Sequence, residues 1–465
     1  MTSISQPSQL VAARFAPYAG PYGLSAARSI HWLLAALLIA TALPTETSLM
    51  LGSVRMSPYR FVLVLAFFPC LAALISGRAG RMVLPDYLMG AHGLWVFASL
   101  IVNAGLGPAV EPGGSYLIEA YGSYLVARVC IRNIREFRAF CAFVVIMVMA
   151  ISLVTLPEML TGKYLIHELF AQLRGKSFHN EVGARFGLHR AYGPFDHPIL
   201  WGVFASTPLA MSWFALTPSD RITPGRVTRS AWVWLGAMTS VSTGALACLA
   251  IQGGLIAYEM MTRWLVKRWV LLLAVFGVFY AYIGALSNRS AMQVFLSYLT
   301  FSKETAFSRV LIFDWGMVNV RHHPIFGIGL SDWERLSWMS PSFDNFWLYI
   351  PMRYGIPAFA TLALSLAYMW WRIVRYGPRG PAGRPARFFT TDDGRARLAW
   401  GFSMLGLSIA SATVHLWNSS AICFYLMIGA GVWMTQPPRR ILAPSPQATP
   451  ETTHADPPAA PAATR

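Results

Sequence analysis

The sequence predicts an all-α, polytopic membrane protein of about twelve transmembrane helices, and three observations carry that expectation. The 465-residue chain is 55% hydrophobic and only 12% charged, against about 25% charged for a soluble domain. Its apolar runs recur at lengths close to the ~20 residues needed to cross a hydrocarbon core about 30 Å thick. Its formal charge of +17 is spread through short Arg and Lys clusters between those runs, as positive cytoplasmic loops would be. With no soluble domain to carry a basic face, that scatter argues against a nucleic-acid partner.

Residues 1–28 are polar, carry Arg14 and Arg28, and read as a cytoplasmic N-terminal segment. The run at 29–45 reads as an uncleaved first span, because it starts late for a signal peptide and membrane character continues after it. Further spans are expected near 60–77, 84–103, 114–131, 138–156, 197–216, 230–244, 245–262, 269–287, 351–375, 397–415 and 418–435. The run 230–262 is divided because Ser242-Thr243-Gly244 reads as a tight turn. Together these form a membrane domain over 29–435. The tail 436–465, rich in Pro, Ala and Thr, cannot bury a core and reads as a disordered cytoplasmic segment.

The connections fix the orientation. Arg78 and Arg81 follow the second span, and Arg128, Arg132, Arg135 and Arg138 join the fourth to the fifth. Arg221, Arg226 and Arg229, then Arg263, Lys267 and Arg268, fill the next two on that side. Arg372, Arg375, Arg379, Arg384, Arg387, Arg395 and Arg397 join the tenth to the eleventh, and Arg439 and Arg440 follow the last. The alternate connections 104–113 and 416–417 carry no Lys or Arg. Twelve spans then leave both termini in the cytoplasm. The five cysteines (Cys70, Cys130, Cys141, Cys248 and Cys423) lie in or beside apolar runs without metal-ligand spacing, so they read as small buried residues.

Two outward segments are long, 157–196 and 288–350. They carry Lys163, Arg174, Lys176, Arg185 and Arg190, then Arg289, Lys303, Arg309, Arg321 and Arg335. These charges are either ordinary solvated side chains or an electropositive face for an anionic substrate. In Arg190-Ala-Tyr-Gly-Pro-Phe-Asp-His-Pro, a turn precedes an outward-facing helix N-terminus, whose free amides favour an anion. Arg190 adds a guanidinium suited to phosphate, while Asp196 reads equally as a cap. Ser242-Thr-Gly-Ala reads as a small-residue helix contact. Val310, Phe313, Met317 and Val320 fall at helical spacing, which suggests an amphipathic helix on the outer leaflet with Arg309 and Arg321 flanking it and Pro324 stopping it.

His322-His323-Pro324 reads as a turn positioning one imidazole. Adjacent histidines diverge on a helix, so no metal site is expected there. Asp344-Asn345 opens the approach to the tenth span, where the carboxylate reads as a general base or as an N-cap. Arg353 lies where Pro351, Gly355 and Pro357 interrupt the helix. Irregular backbone at membrane depth belongs beside protein or a wet cavity.

Taken in order, these motifs resemble the O-antigen ligase and Wzy-type polysaccharide polymerase family. The matching residues are Arg190, Gly193 and His197-Pro198 before a span, Ser242-Thr-Gly-Ala, Ser308-Arg309 with Trp315, His323-Pro-Ile-Phe-Gly327-Ile-Gly329, and Asp344-Asn345-Phe-Trp-Leu-Tyr with Tyr354-Gly355-Ile356. The resemblance covers most of 30–435. It implies a GT-C-like helical fold in a bacterial inner membrane, with the active site facing the periplasm. It also implies metal-independent transfer of a glycan from undecaprenyl diphosphate, with no cofactor, to an acceptor glycan or lipid A-core. Membrane lipid and a chain-length regulator are the further partners it implies. Arg190 and Arg309 would contact the diphosphate, assisted by Arg321 or Arg353. Asp344 would act with Arg309 in catalysis, and His197, His323 and Asn345 would line the substrate site.

Two positions depart from the family pattern. Asp344 stands where the ligase branch usually has His, and Thr243 where Arg is common. Both point towards a polymerase or exopolysaccharide-type member. The rival reading is a transporter or flippase of lipid-linked sugars. It expects internal repeats and ionisable residues at mid-membrane. No repeat is evident, and Asp86, His92 and Glu119 are the main apolar-run residues of that kind.

Overall fold

A computed structural model describes residues 22–52, 54–173, 182–218, 221–265, 267–287, 294, 303–377 and 387–436. Most of the expected N-terminal segment, the loop residues Arg174, Lys176, Arg289, Arg379 and Arg384, and the tail from 437 lie outside the described residues. The protein is mostly helical. A 3-10 helix, Gly23–Ser29, leads into α1 (Trp32–Thr41), and a two-stranded antiparallel hairpin follows, β1 (Leu49–Leu51) and β2 (Val54–Met56). Next come α2 (Pro58–Ile75), α3 (Leu84–Ala104), α4 (Leu106–Leu117), α5 (Ser123–Cys130), α6 (Ile134–Thr161) and α7 (Leu165–Leu173). The second half holds α8 (Pro198–Ser206), α9 (Pro224–Met238), α10 (Thr243–Thr262), α11 (Arg268–Leu286), α12 (Lys303–His322), α13 (Phe346–Tyr354), α14 (Ile356–Arg375), α15 (Asp392–Ala410) and α16 (Ser419–Gly431).

Among the described residues, six helices are long and apolar enough to cross a membrane: α2, α3, α6, α10, α11 and α14. A seventh crossing arises if the 3-10 helix and α1, bent by 110°, act as one broken span. Each expected apolar run carries helix, but several runs are interrupted. The run at 114–131 belongs to a helix that begins at Leu106 and passes through a π-helical turn at Ile118–Gly122. The run at 197–216 is broken, α8 ending at Ser206 before a π turn at Met211–Ala215. Gln252 of α10 serves that break, its amide donating to the Ser206 carbonyl at 2.8 Å and its carbonyl accepting from the Ala210 N–H at 3.0 Å. Irregular backbone inside an apolar body needs partners of this kind. The run at 351–375 is cut at Gly355 (φ +85°), which separates α13 from α14.

The division inside 230–262 is present but lies earlier than the sequence places it: α9 ends at Met238 and α10 begins at Thr243, so Thr243 and Gly244 belong to the helix and the turn spans 239–242. The core is built from both neighbouring and distant helix pairs: α3 packs on α4 and α14, α5 on α16, α10 on α15, and α8 on α9. Three ionisable groups in this core are matched. Asp86, fully buried at the start of α3, accepts from Arg128 Nε at 3.0 Å and from the Tyr124 hydroxyl at 2.6 Å. Glu119 pairs with Arg60 at 2.7 Å. His92 lies between the Ala358 carbonyl at 2.8 Å and the Tyr116 hydroxyl at 2.9 Å. Removing one partner of a buried ion pair costs about 3–5 kcal/mol, so these groups hold helices together.

The face of α12 is turned relative to the expectation. Arg309, Ile312, Gly316, Asn319 and Val320 are buried, whereas Val310, Phe313 and Met317 are only half-buried. The cause is Gly316. A Cβ there would lie 2.7 Å from Leu348 Cδ2 and 2.8 Å from Phe343 Cζ, so its absence lets α12 seat closely on α13. A second hydrophobic cluster, including Ile312, Trp333, Phe343, Leu348 and Met352, fills that contact. The helix is therefore packed on protein along the face that carries Arg309.

Candidate functional site

The turn between α9 and α10 gathers three guanidinium groups. Arg190 Nε donates to the Ser240 carbonyl at 3.3 Å, Arg185 Nη1 to the Val241 carbonyl at 3.3 Å, and Arg309 Nη2 to the Thr243 hydroxyl at 3.1 Å. Each arrives from a different segment, and each is positioned by local chemistry. Arg185 sits at the mouth of a two-residue turn. Its N–H and carbonyl exchange 2.9 Å bonds with Leu188, and Phe186 and Gly187 between them both have positive φ, the geometry of a primed hairpin turn. Arg190 is held by the Ala191 N–H, which donates to the Thr239 carbonyl at 3.0 Å. Arg309 projects from the buried face of α12.

The turn itself is constrained. Thr239 accepts from the indole N–H of the fully buried Trp201 at 2.9 Å. Val241 has φ +42°, a backbone region that β-branched residues rarely enter. Ser242 is the N-cap residue of the 20-residue α10, yet its side chain makes no cap bond, and its buried hydroxyl has no partner among the described residues. The amide end of a long helix therefore faces the arginines, and such ends favour anions. Gly244 packs against Val414, which a Cβ would meet at 2.8 Å, so the small-residue reading of this segment also holds.

The electrostatics are those of neighbouring guanidinium groups, with the Asp344 carboxylate acting on one of them. Burial, then the neighbouring Arg185, pushes Arg190 down to about 10. Burial likewise lowers Arg309 to about 10; the Asp344 charge opposes this shift and Arg185 adds to it. Both remain charged at neutral pH. Arg190 Nη2 is buried with no hydrogen-bond partner among the described residues. Burial raises Asp344 above the ordinary carboxylate value, partly offset by Arg309 and by a 3.2 Å hydrogen bond from the Ser342 hydroxyl.

The structure separates Asp344 from the capping role. Asn345 caps α13, its side-chain oxygen accepting from the Leu348 N–H at 3.0 Å. The Phe346 N–H donates to the carbonyls of Ser411 at 2.9 Å and Val414 at 3.1 Å, so the start of α13 is fastened to the turn after α15. His197 likewise caps α8, accepting from the Ile199 N–H at 3.1 Å, while Asp196 accepts from the Asn418 amide at 2.6 Å. The loop carrying these residues is pinned by Glu158, which accepts from the N–H groups of Tyr192 at 3.1 Å and Gly193 at 2.9 Å.

Of the sequence-predicted residues, Arg190 and Arg309 meet at the turn, and Asp344 and His197 lie within reach of its charges. Arg321 and His323 do not join them. Both are exposed, and Arg321 lies about 18 Å further along α12 at ~1.5 Å per residue. Arg353 braces a loop, donating through Nη1 to the Gly329 carbonyl at 3.0 Å and to that of Ser331. Gly327 and Gly329 serve the same packing, because a Cβ at Gly327 would lie 2.5 Å from the Arg353 carbonyl oxygen.

Sequence reasoning did not single out Arg185, His415 or Trp417. His415 stacks between the Tyr349 ring, with centroids 4.1 Å apart, and the Trp417 ring at 5.9 Å, and Trp417 contacts His197 at 5.8 Å. The signal was a short polar and aromatic run, His415-Leu-Trp-Asn-Ser-Ser, between two apolar stretches. Among the described residues no group of three His, Cys, Asp or Glu side chains is arranged to hold a metal ion. No protein-family model matches the chain, and no curated protein matches it.

Proposed function

We propose that this protein transfers or polymerises an oligosaccharide carried on undecaprenyl diphosphate, at the outer face of a bacterial inner membrane, within a GT-C-like bundle of twelve spans. The observation that carries the proposal is the convergence of Arg185, Arg190 and Arg309 on the 239–243 turn at the amide end of α10. Guanidinium groups brought together suit an anion, and paired phosphates match several guanidinium forks at once. The aromatic row of Tyr349, His415, Trp417 and His197 supplies flat faces beside the cluster on which sugar rings can rest.

In this reading, Asp344 takes the proton from an acceptor hydroxyl as that oxygen attacks the anomeric carbon. The bond from that carbon to the diphosphate oxygen breaks, and its electron pair leaves with undecaprenyl diphosphate. The arginines stabilise the charge that develops there. The acceptor is a glycan or lipid A-core, and a chain-length regulator is the expected protein partner. The core charges weigh against the transporter reading, because Asp86, Glu119 and His92 are each engaged in helix-to-helix bonds.

The test is a membrane assay supplied with lipid-linked oligosaccharide and acceptor. Wild-type membranes should release free undecaprenyl diphosphate and extend or decorate the acceptor. Membranes containing Asp344→Asn at equal protein level should do neither. Movement of the intact lipid-linked sugar across the bilayer without release of the lipid diphosphate would overturn the proposal in favour of transport.

A further inference from the structure

The opposite end of the bundle holds a second basic site, and its argument does not rest on the transfer reading. Helix α15 runs between the two ends, from Asp393 and Arg397 to the turn at Ser411, about 28 Å at ~1.5 Å per residue. At its N-terminal end lies a cavity of about 740 Å³, lined by the arginines Arg78, Arg128, Arg132 and Arg397, with Asp393 and Trp433.

Two of the four arginines are satisfied by the fold. Arg128 is bonded to the buried Asp86, and Arg397 pairs with Asp393 at 2.7 Å and donates to the Met434 carbonyl at 2.8 Å. The other two are not. Arg78 and Arg132 are exposed, and neither guanidinium forms an ion pair among the described residues; the Arg132 backbone N–H donates at 2.7 Å to Glu136, which lines the smaller cavity beside them. Arg132 Nη1 donates to the backbone carbonyl of Arg78 at 3.1 Å, which fixes its guanidinium beside that residue. Both also line an adjoining cavity of about 250 Å³, so they stand on the ridge between the two spaces. The indole N–H of Trp433 is buried and has no hydrogen-bond partner among the described residues. A buried donor left unpaired costs about 1–3 kcal/mol, and this one belongs to a residue lining the larger cavity.

We infer that this cavity binds a phosphate-bearing anion, with Arg78 and Arg132 as the charged pair and the Trp433 N–H as a neutral donor. A bilayer phospholipid headgroup and a soluble phosphate compound share that chemistry. Basic pockets between membrane helices suit anionic headgroups.

The experiment uses the full chain and reads the thermal unfolding midpoint. One arm compares nanodiscs of phosphatidylcholine with nanodiscs of equal phosphatidylglycerol and phosphatidylcholine. The other adds inorganic phosphate, then pyrophosphate, to protein in neutral detergent. At least one arm should raise the wild-type midpoint by about 3 °C or more. A rise in the lipid arm alone assigns a headgroup, and a rise in the soluble arm assigns a phosphate compound. Arg78→Gln with Arg132→Gln should lose at least half of the rise. Arg221→Gln with Arg375→Gln, which removes the same charge outside the cavity, should keep it. If the double variant does not fold, Trp433→Phe replaces it and should also reduce the rise. The inference is overturned if neither arm moves the wild type, if the cavity variants keep the full rise, or if the control pair loses as much.

Discussion

Arg309 and Thr243 are 66 positions apart in the chain, yet the guanidinium donates to the hydroxyl at 3.1 Å. That single bond joins α12 to the first residue of α10. The Thr243 side chain thus receives a guanidinium from α12. Arg309→Ala should lower transfer roughly 10- to 100-fold, in line with the ~1.5–3 kcal/mol of a hydrogen bond to a charged group. Arg309→Lys should recover little, because an ammonium lacks the planar fork. Initial rates at matched protein level in membranes check both.

Asp344 should act as a base only when ionised. Burial raises its folded-state value above the ordinary 3.8 for an aspartate. Activity should therefore be present at higher pH and fall as pH drops through that raised value, earlier than for an exposed aspartate. Asp344→Glu should keep an acid limb with reduced rate, and Asp344→Asn should show no activity at any pH. Rate against pH, measured at saturating substrate, reads the limb directly.

The order of apolar runs and the presence of a break within 230–262 were legible because each depends on local composition or short spacing. The rotation of α12 was not. It is decided by Gly316 against Leu348 and Phe343, a contact between segments that periodicity within one helix cannot show. The role of Arg185 also depends on a fold contact, since its target is a carbonyl 56 positions away. His415 was hidden for a different reason. Its environment comes from Tyr349 and Trp417 on two elements, while the sequence shows only a short connection. Asp344 and Asn345 carry cap-forming side chains side by side, and only the fold distinguishes them, with Asn345 capping α13.

Acid should destabilise the site through two histidines. His197 is lowered to about 4 by burial and then by Arg190 and Arg185, and His415 to about 4 by burial and then by Arg353. Between pH 6.5 and 4 the unfolded chain binds more protons at these positions than the folded one. Their contribution to stability is thus full above about 6.5 and is lost as pH falls towards 4. His167 has the opposite sign. Burial would lower it, but the hydrogen bond and charge of Glu46 and the Phe195 carbonyl prevail and raise it. Its contribution is present below 6.5 and is lost as pH rises through the raised value. The double variant His197→Asn with His415→Gln should flatten the acid side of the unfolding midpoint against pH.

Gly355→Ala should be severely destabilising. A Cβ there would sit 1.8 Å from the Ile325 carbonyl oxygen, and the residue has φ +85°. Backbone and carbonyl cannot both yield without moving the α13–α14 corner. The strained conformation alone costs about 1–3 kcal/mol, and the overlap adds to it. Gly253→Ala, where a Cβ meets nothing within 4 Å inside α10, is the control and should not lower the midpoint, since alanine favours the helix over glycine by about 1 kcal/mol. Thermal unfolding of both in the same detergent decides the matter.

The mutual repulsion of Arg185, Arg190 and Arg309 has a bearing on time as well as on place. Like charges held this close favour any anion that lies between them, the product of a reaction as much as its reactant. On the proposed chemistry, the spent lipid diphosphate carries the same two phosphates as the fresh donor and is held by the same three side chains. Turnover would then be paced by the departure of that product and its exchange for a new carrier, with bond making and breaking the quicker part of each round.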